Sequence, residues 1–155
     1  MSQIIPLLGF EEGFKATPYY DSLGYPTIGT GFLIGPKNAP LSYYTFTLPK
    51  EVSDVWLQTL IAKILVQMHS TPIIMAAINA CNGPRQDVLT SMSFQMGVQG
   101  LAGFKNTLAM IAAENFTGAA SGMLNSAWAR QTPARAKRHA EVMRTGTMEA
   151  YKGLI

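Results

Sequence analysis

Glu12, Asp21 and Thr27 are the residues of this 155-residue chain whose types and spacing could do chemistry. The two acids stand nine residues apart, and Thr27 follows Asp21 by six. Paired carboxyls in one cleft suit glycoside hydrolysis. One, protonated, gives its proton to the leaving oxygen; the other, ionised, guides water or stabilises positive charge. A Glu at a helix end, half covered by apolar neighbours, has its carboxyl pushed up toward neutral pH and suits the acid. An Asp on a wetter loop stays ionised, and a threonine hydroxyl can hold the attacking water. Spacing alone does not separate this arrangement from two acids placed by chance.

The elements that must position these groups are legible around them. Ile4, Ile5, Leu7 and Leu8 give one apolar stripe to a short helix over about 4–12. Glu11 and Glu12 flank that stripe on opposite sides, so periodicity does not choose between them. From Gly24 to Gly31 the chain reads GYPTIGTG. Glycine supplies the positive φ of tight turns, and Thr and Ile suit strands, so this string predicts a small twisted hairpin or sheet. A helix ending near Gly13, a loop carrying Asp21 and a sheet carrying Thr27 can then converge on one cleft.

The residues go further than spacing. Glu12-Gly13, Tyr20-Asp21, Gly24-Tyr25, Thr27-Ile28-Gly29 and Gly31 resemble the active-site segment of the T-even phage lysozymes, the endolysins of glycoside hydrolase family 24. The resemblance returns at Ser93-Phe94-Gln95-Met96-Gly97 and at Gly103-Phe104-Lys105-Asn106. It is densest at Trp128, Gln131-Thr132-Pro133, Arg135-Ala136-Lys137-Arg138, Arg144-Thr145-Gly146-Thr147 and Ala150-Tyr151-Lys152. Three blocks stand in the family's order, while 36–85 matches loosely.

The resemblance implies an α+β, mostly α, lysozyme-like fold. A small N-terminal lobe with a β-hairpin or sheet (about 13–50) would be joined by a long helix (about 50–69) to a larger all-helical lobe. That lobe would comprise about 71–155 together with the N-terminal helix. The family's acid immediately precedes the glycine, which selects Glu12 and leaves Glu11 as a solvent-facing residue. The implied activity is that of a muramidase: cleavage of the β-1,4 bond between N-acetylmuramic acid and N-acetylglucosamine in bacterial peptidoglycan, with inversion. Glu12 would be the acid, Asp21 the support for water or for the developing charge, and Thr27 the water's holder. Family substrate contacts fall on Leu33, Phe94 and Thr107, the last in place of a serine. A further contact, an asparagine, aligns with Gly122, so its hydrogen bond is lost or supplied elsewhere. Phe32 stands where many relatives have histidine, which removes any charge pairing made there.

Composition agrees with a globular hydrolase. Hydrophobic residues make up 48% and charged residues 14%, which excludes a disordered chain. Net charge is +3, with Arg130, Arg135, Lys137, Arg138, Arg144 and Lys152 crowded into the last quarter. Such a cluster can meet an anionic polymer; a solvated helix face explains each residue as well. Cys81 is the single cysteine, so an internal disulfide is excluded, and its apolar helical surroundings predict an inert thiol. His69 and His139 lack metal-ligand spacing, and no cofactor is expected.

The opening residues lack a basic n-region, and no apolar run is long enough to span a bilayer. Accumulation in the host cytoplasm is expected. By resemblance, a holin would then release the enzyme to the wall and periplasm. The expected state is a monomer that neither inserts stably in membrane nor binds nucleic acid. Two rivals stand beside the lysis enzyme. One is a virion-borne lysozyme that opens the wall during infection. The other is a non-catalytic helical module that binds wall or nucleic acid through the basic C-terminal helix.

Elsewhere, Tyr43 to Thr47 reads as strand or as an irregular aromatic patch, which could stack on sugar rings or, the favoured reading, pack under the small lobe. Val52, Val55, Trp56, Leu60, Ile64, Leu65 and Met68 mark the apolar side of the long helix. Thr71-Pro72 predicts a helix start and Asn82-Gly83 its stop. A central helix should run from Pro84 until Gly100 and Gly103 break it. Short helices are expected near 107–113 and 117–126, then a basic helix from Thr132-Pro133 to about Arg144, and a final short helix after Thr145-Gly146-Thr147. The nine methionines read as core filler.

Overall fold

The glycine-rich string folds as a three-stranded antiparallel sheet in a computed structural model that describes residues 1–155. Its strands, β1 (Lys15–Tyr20), β2 (Pro26–Gly29) and β3 (Phe32–Leu33), lie in sequence order. Helix α1 (Ile4–Glu12) precedes them over the expected residues. The architecture is α+β and mostly α, as the resemblance implies. The chain divides into two compact units, Leu8–Leu60 and Met1–Leu7 with Ile61–Ile155.

In the first unit the register gives each face of the sheet a job. Ile28 pairs with Phe32, whereas Thr27 pairs with Tyr19 on one side and Leu33 on the other. Directly opposed residues point the same way, so Tyr19, Thr27 and Leu33 form one row across three strands. Ile28 and Phe32 occupy the apolar face. Both are buried, and the Phe32 ring stacks on Trp56 with centroids 4.5 Å apart. Gly29 has φ +65°, and a Cβ there would strike the Phe32 ring and Leu48. The phenylalanine that replaces a family histidine is therefore a core residue.

The aromatic patch does not pack as expected. Leu41–Tyr43 forms a single 3-10 turn, and Tyr43 and Phe46 are exposed. Leu48 is buried in their stead, its N–H donating to the Ala16 carbonyl at 2.7 Å. Helix α2 (Lys50–His69) has the expected span, but its buried face is turned. Met68 is buried as expected, but Val52 and Val55 are exposed, while Ser53, Leu57 and Ile61 are buried. Apolar residues recur all around this helix, so periodicity does not fix which face goes inward. Glu11, expected to face solvent, is half-buried.

The second unit is helical: α3 (Pro72–Ala80), α4 (Gly83–Met96), α5 (Val98–Ala102), α6 (Lys105–Ala112), α7 (Phe116–Leu124), α8 (Ala127–Gln131) and α9 (Pro133–Thr145). A 3-10 turn, Glu149–Tyr151, takes the place of the final short helix. Asn82 is a start signal and not a stop, because its side chain accepts the Arg85 N–H that opens α4. Gly97, with φ +82°, ends α4 one turn earlier than expected, and Gly100 lies inside α5. Helix α8 has no counterpart in the sequence reading.

From Asp87 to Ser93, α4 is buried throughout, and Asp87 accepts the Ser2 hydroxyl and the Gln3 N–H, each at 2.7 Å. Arg135, expected on a solvated basic face, is also buried. Its Nη2 donates to Ser91 Oγ at 2.9 Å. Ser91 Oγ lies 2.8 Å from His139 Nε2, and the Tyr151 hydroxyl lies 2.8 Å from His139 Nδ1. Burial, and then the Arg135 and Arg138 cations, hold the imidazole well below its ordinary range, so His139 is neutral. Cys81 is half-buried at the end of α3, and burial pushes its thiol up to about 11 against a smaller lowering by Arg85. No single helix is long and apolar enough to cross a membrane.

Candidate active site

Glu12 is the last residue of α1. Gly13 ends the helix in a left-handed conformation, φ +71°, with its N–H on the Gly9 carbonyl at 3.0 Å. The half-buried Glu12 carboxyl comes to rest against the turn between β2 and β3. Gly31 there has φ +73°, and a Cβ on it would lie 2.9 Å from Glu12 Oε2. Glycine is thus required twice over, by the backbone and by the carboxylate beside it.

Asp21 begins the turn between β1 and β2. Its Oδ1 accepts the Leu23 N–H at 2.9 Å and the Tyr25 N–H at 2.8 Å, an Asx turn that fixes the carboxylate's plane. The Asp21 N–H returns to the Tyr25 carbonyl at 3.0 Å. Oδ2 makes no hydrogen bond within the protein. On β2, buried Thr27 donates its hydroxyl proton to that same Tyr25 carbonyl at 2.8 Å. With its proton committed, Thr27 Oγ1 can act only as an acceptor toward a third group. Asp21 Oδ2 and Thr27 Oγ1 are therefore two fixed acceptors suited to the two protons of a water molecule.

Tyr19 completes this face. The strand register sets it opposite Thr27, two residues before the turn that Asp21 begins. Lys15 Nζ lies 4.3 Å from its ring centroid. Its phenol is raised above the ordinary tyrosine range by burial first, then by the negative charges of Glu12 and Asp21. Both carboxylates therefore act on one hydroxyl. Neither Tyr19 nor Tyr25 stands out in the sequence; one acts by register and the other through its peptide groups.

Glu12, Asp21, Thr27 and Leu33 all belong to the unit of residues 8–60. Leu33 is exposed beside Thr27. Phe94 and Thr107 belong to the helical unit, where Phe94 is half-buried on α4 and Thr107 is buried on α6. Thr107 and Gly122 line one depression of about 580 Å³, with Phe104, Asn106 and Asn125. Thr107 Oγ1 fills the space a Cβ on Gly122 would need, at 2.6 Å, and Asn125 offers an amide in the same depression. No group of three or more His, Cys, Asp or Glu is placed to hold a metal ion.

Comparison with known proteins identifies the family. The Phage lysozyme family pattern covers residues 10–141. Probable T4-type lysozymes 1 and 2 of Dictyostelium discoideum are each 30% identical over 98% of this chain and 99% of their own length. The pre-baseplate central spike protein Gp5 of Enterobacteria phage T4 is 31% identical over 94% of this chain, which spans 28% of that protein. By the extent of the family match, the chain belongs to the phage lysozyme family, as a lysozyme-type peptidoglycan hydrolase.

Proposed function

We propose that the chain is a phage endolysin cleaving the β-1,4 bond between N-acetylmuramic acid and N-acetylglucosamine. The observation that carries the reading is the pair of acceptors, Asp21 Oδ2 and Thr27 Oγ1, left unused by a shared anchor on Tyr25. Protonated Glu12 donates to the glycosidic oxygen, and the C1–O bond breaks with its electron pair going to that oxygen. A water held by Asp21 and Thr27 attacks C1 from the opposite face and loses a proton to Asp21, which inverts the anomeric centre. Exchange with solvent returns the proton from Asp21 and reprotonates Glu12. Leu33 on the sheet face, and Phe94 and Thr107 in the helical unit, serve as sugar or peptide contacts.

In this reading the enzyme accumulates as a monomer in the host cytoplasm and reaches the wall when a holin opens the membrane. A second reading, a virion-borne lysozyme used during infection, is favoured by the match to a segment of the central spike protein. Finding the chain in purified virions would decide for it.

The test is loss of turbidity of outer-membrane-permeabilised Gram-negative cells, with wild type beside Glu12→Gln and both shown to be folded. Clearing by wild type alone is expected. Equal clearing would move the acid elsewhere, with Glu11 next. Clearing by neither would favour a non-catalytic wall-binding module.

A further inference from the structure

The Tyr19 side chain is half-buried on the sheet face that carries Thr27, and its hydroxyl, open to solvent, makes no hydrogen bond to the protein and can donate to a water. Its position is over-determined. The register sets its Cα opposite Thr27, so the two side chains share a face with Cβ atoms about 5 Å apart. Asp21, two residues on, begins the turn just past β1, and its charge acts on the phenol. The ring is held from the side by Lys15 Nζ, 4.3 Å from its centroid. The charged groups that face the phenol are therefore Lys15, Glu12 and Asp21.

A water that gives its two protons to Asp21 Oδ2 and Thr27 Oγ1 keeps two lone pairs. One must point at C1 for attack. The other is free to accept, and a donor there would fix rotation about the remaining axis. We propose that Tyr19 is that donor: its hydroxyl is a third anchor of the attacking water, aiming the remaining lone pair at the sugar. The phenol remains neutral throughout, because burial and the Asp21 carboxylate oppose its ionisation, so it donates its proton without transferring it. No bond is made or broken at Tyr19. Its contribution is orientation, and an unfixed nucleophile loses rate without losing substrate affinity.

This inference rests on the hydrolase reading above. Tyr19→Phe keeps the ring and its contact with Lys15 and removes the donor. With purified peptidoglycan as substrate, kcat should fall about tenfold or more while KM stays within about twofold and Tm within a few degrees. Unchanged kcat beside an active wild type overturns the Tyr19 inference and leaves the hydrolase reading intact. Raised KM at unchanged kcat also overturns it, since the phenol would then be a substrate contact. An inactive wild type fails the hydrolase reading itself. A second measurement is independent of the Phe variant's folding. The ring-carbon NMR titration of Tyr19 should move to lower pH in Glu12→Gln and in Asp21→Asn. A titration unmoved in both places the phenol away from the carboxylates and overturns the proposal.

Discussion

Asp21 and Thr27 are anchored to the same residue: the Tyr25 N–H binds Asp21 Oδ1, and the Tyr25 carbonyl accepts from Thr27 Oγ1, each at 2.8 Å. One peptide segment thereby sets the spacing of two acceptors that lie six positions apart in the chain. The two oxygens of Asp21 also have separate duties, and two substitutions separate them. Asp21→Asn can still present an acceptor to the turn, but it is neutral and cannot take a proton from water. Its peptidoglycan cleavage should fall by at least ~100-fold with little change in melting temperature. Asp21→Ala should lose the same activity and, in addition, about 1–2 kcal/mol of stability from the two unmade turn bonds. Denaturant titration of both variants checks the difference.

Gly31 couples the turn between β2 and β3 to Glu12. At φ +73°, Gly31→Ala takes on left-handed strain of about 1–2 kcal/mol. The added methyl would also meet Glu12 Oε2 at 2.9 Å and displace the carboxyl. A misplaced acid should lower kcat by roughly 10–100-fold, more than a loss of stability of this size explains at temperatures where the variant stays folded. Gly13→Ala makes the control. It carries the same backbone strain at φ +71° with open space around the added methyl, so its loss should appear chiefly in stability.

Cys81 should be nearly inert. With its thiol near 11, about 0.1% is thiolate at pH 8, against roughly a quarter for a free thiol of ordinary acidity. Reaction with a disulfide reagent at pH 8 should therefore run on the order of 100-fold slower in the folded protein than in denaturant. Rapid labelling of the native protein would show that the end of α3 opens readily.

What the sequence made legible was what local chemistry dictates. Gly24 to Gly31 announces its turns, and α1 and α2 run over the expected residues because apolar repeats and the Gly13 terminator are local signals. The inward face of α2 was not legible, since Val52, Val55, Leu57 and Ile61 offer competing stripes on one cylinder. Asn82 is a start signal where a stop is expected, and Gly97 ends α4 where Gly100 is expected to, for a related reason: Asn and Gly punctuate either end of a helix, and the neighbouring segment decides which. Glu12, Asp21 and Thr27 were found by type and by family pattern. The clamp on Asp21 and Thr27 was not, because Tyr25 holds both through its backbone groups. Least visible was the Ser91–Arg135–His139–Tyr151 network: Arg135 and His139 stand one turn apart on α9, but Ser91 on α4 and Tyr151 in the closing 3-10 turn meet them only in the fold.

That network makes stability depend on pH in a direction that can be worked out. His139 is fully buried and its folded-state pKa is depressed, so the native protein holds the ring neutral. The unfolded chain binds a proton there below about pH 6.5. Above that value neither state is protonated, and His139 contributes no slope. Below it the unfolded state gains a proton that the folded state refuses, so stability falls with acidity by up to ~1.4 kcal/mol per pH unit. Between pH 7.5 and 5.0 the loss from this one group should reach at most about 2 kcal/mol, the limit in which the folded ring takes no proton. Urea titrations of wild type and His139→Gln measure it directly. The variant should be weaker at pH 7.5, having disturbed the bonds to Ser91 and Tyr151, yet it should lose less on acidification because no imidazole remains to be charged. Parallel losses in the two proteins would show that other groups set the acid slope and that His139 can be protonated in place.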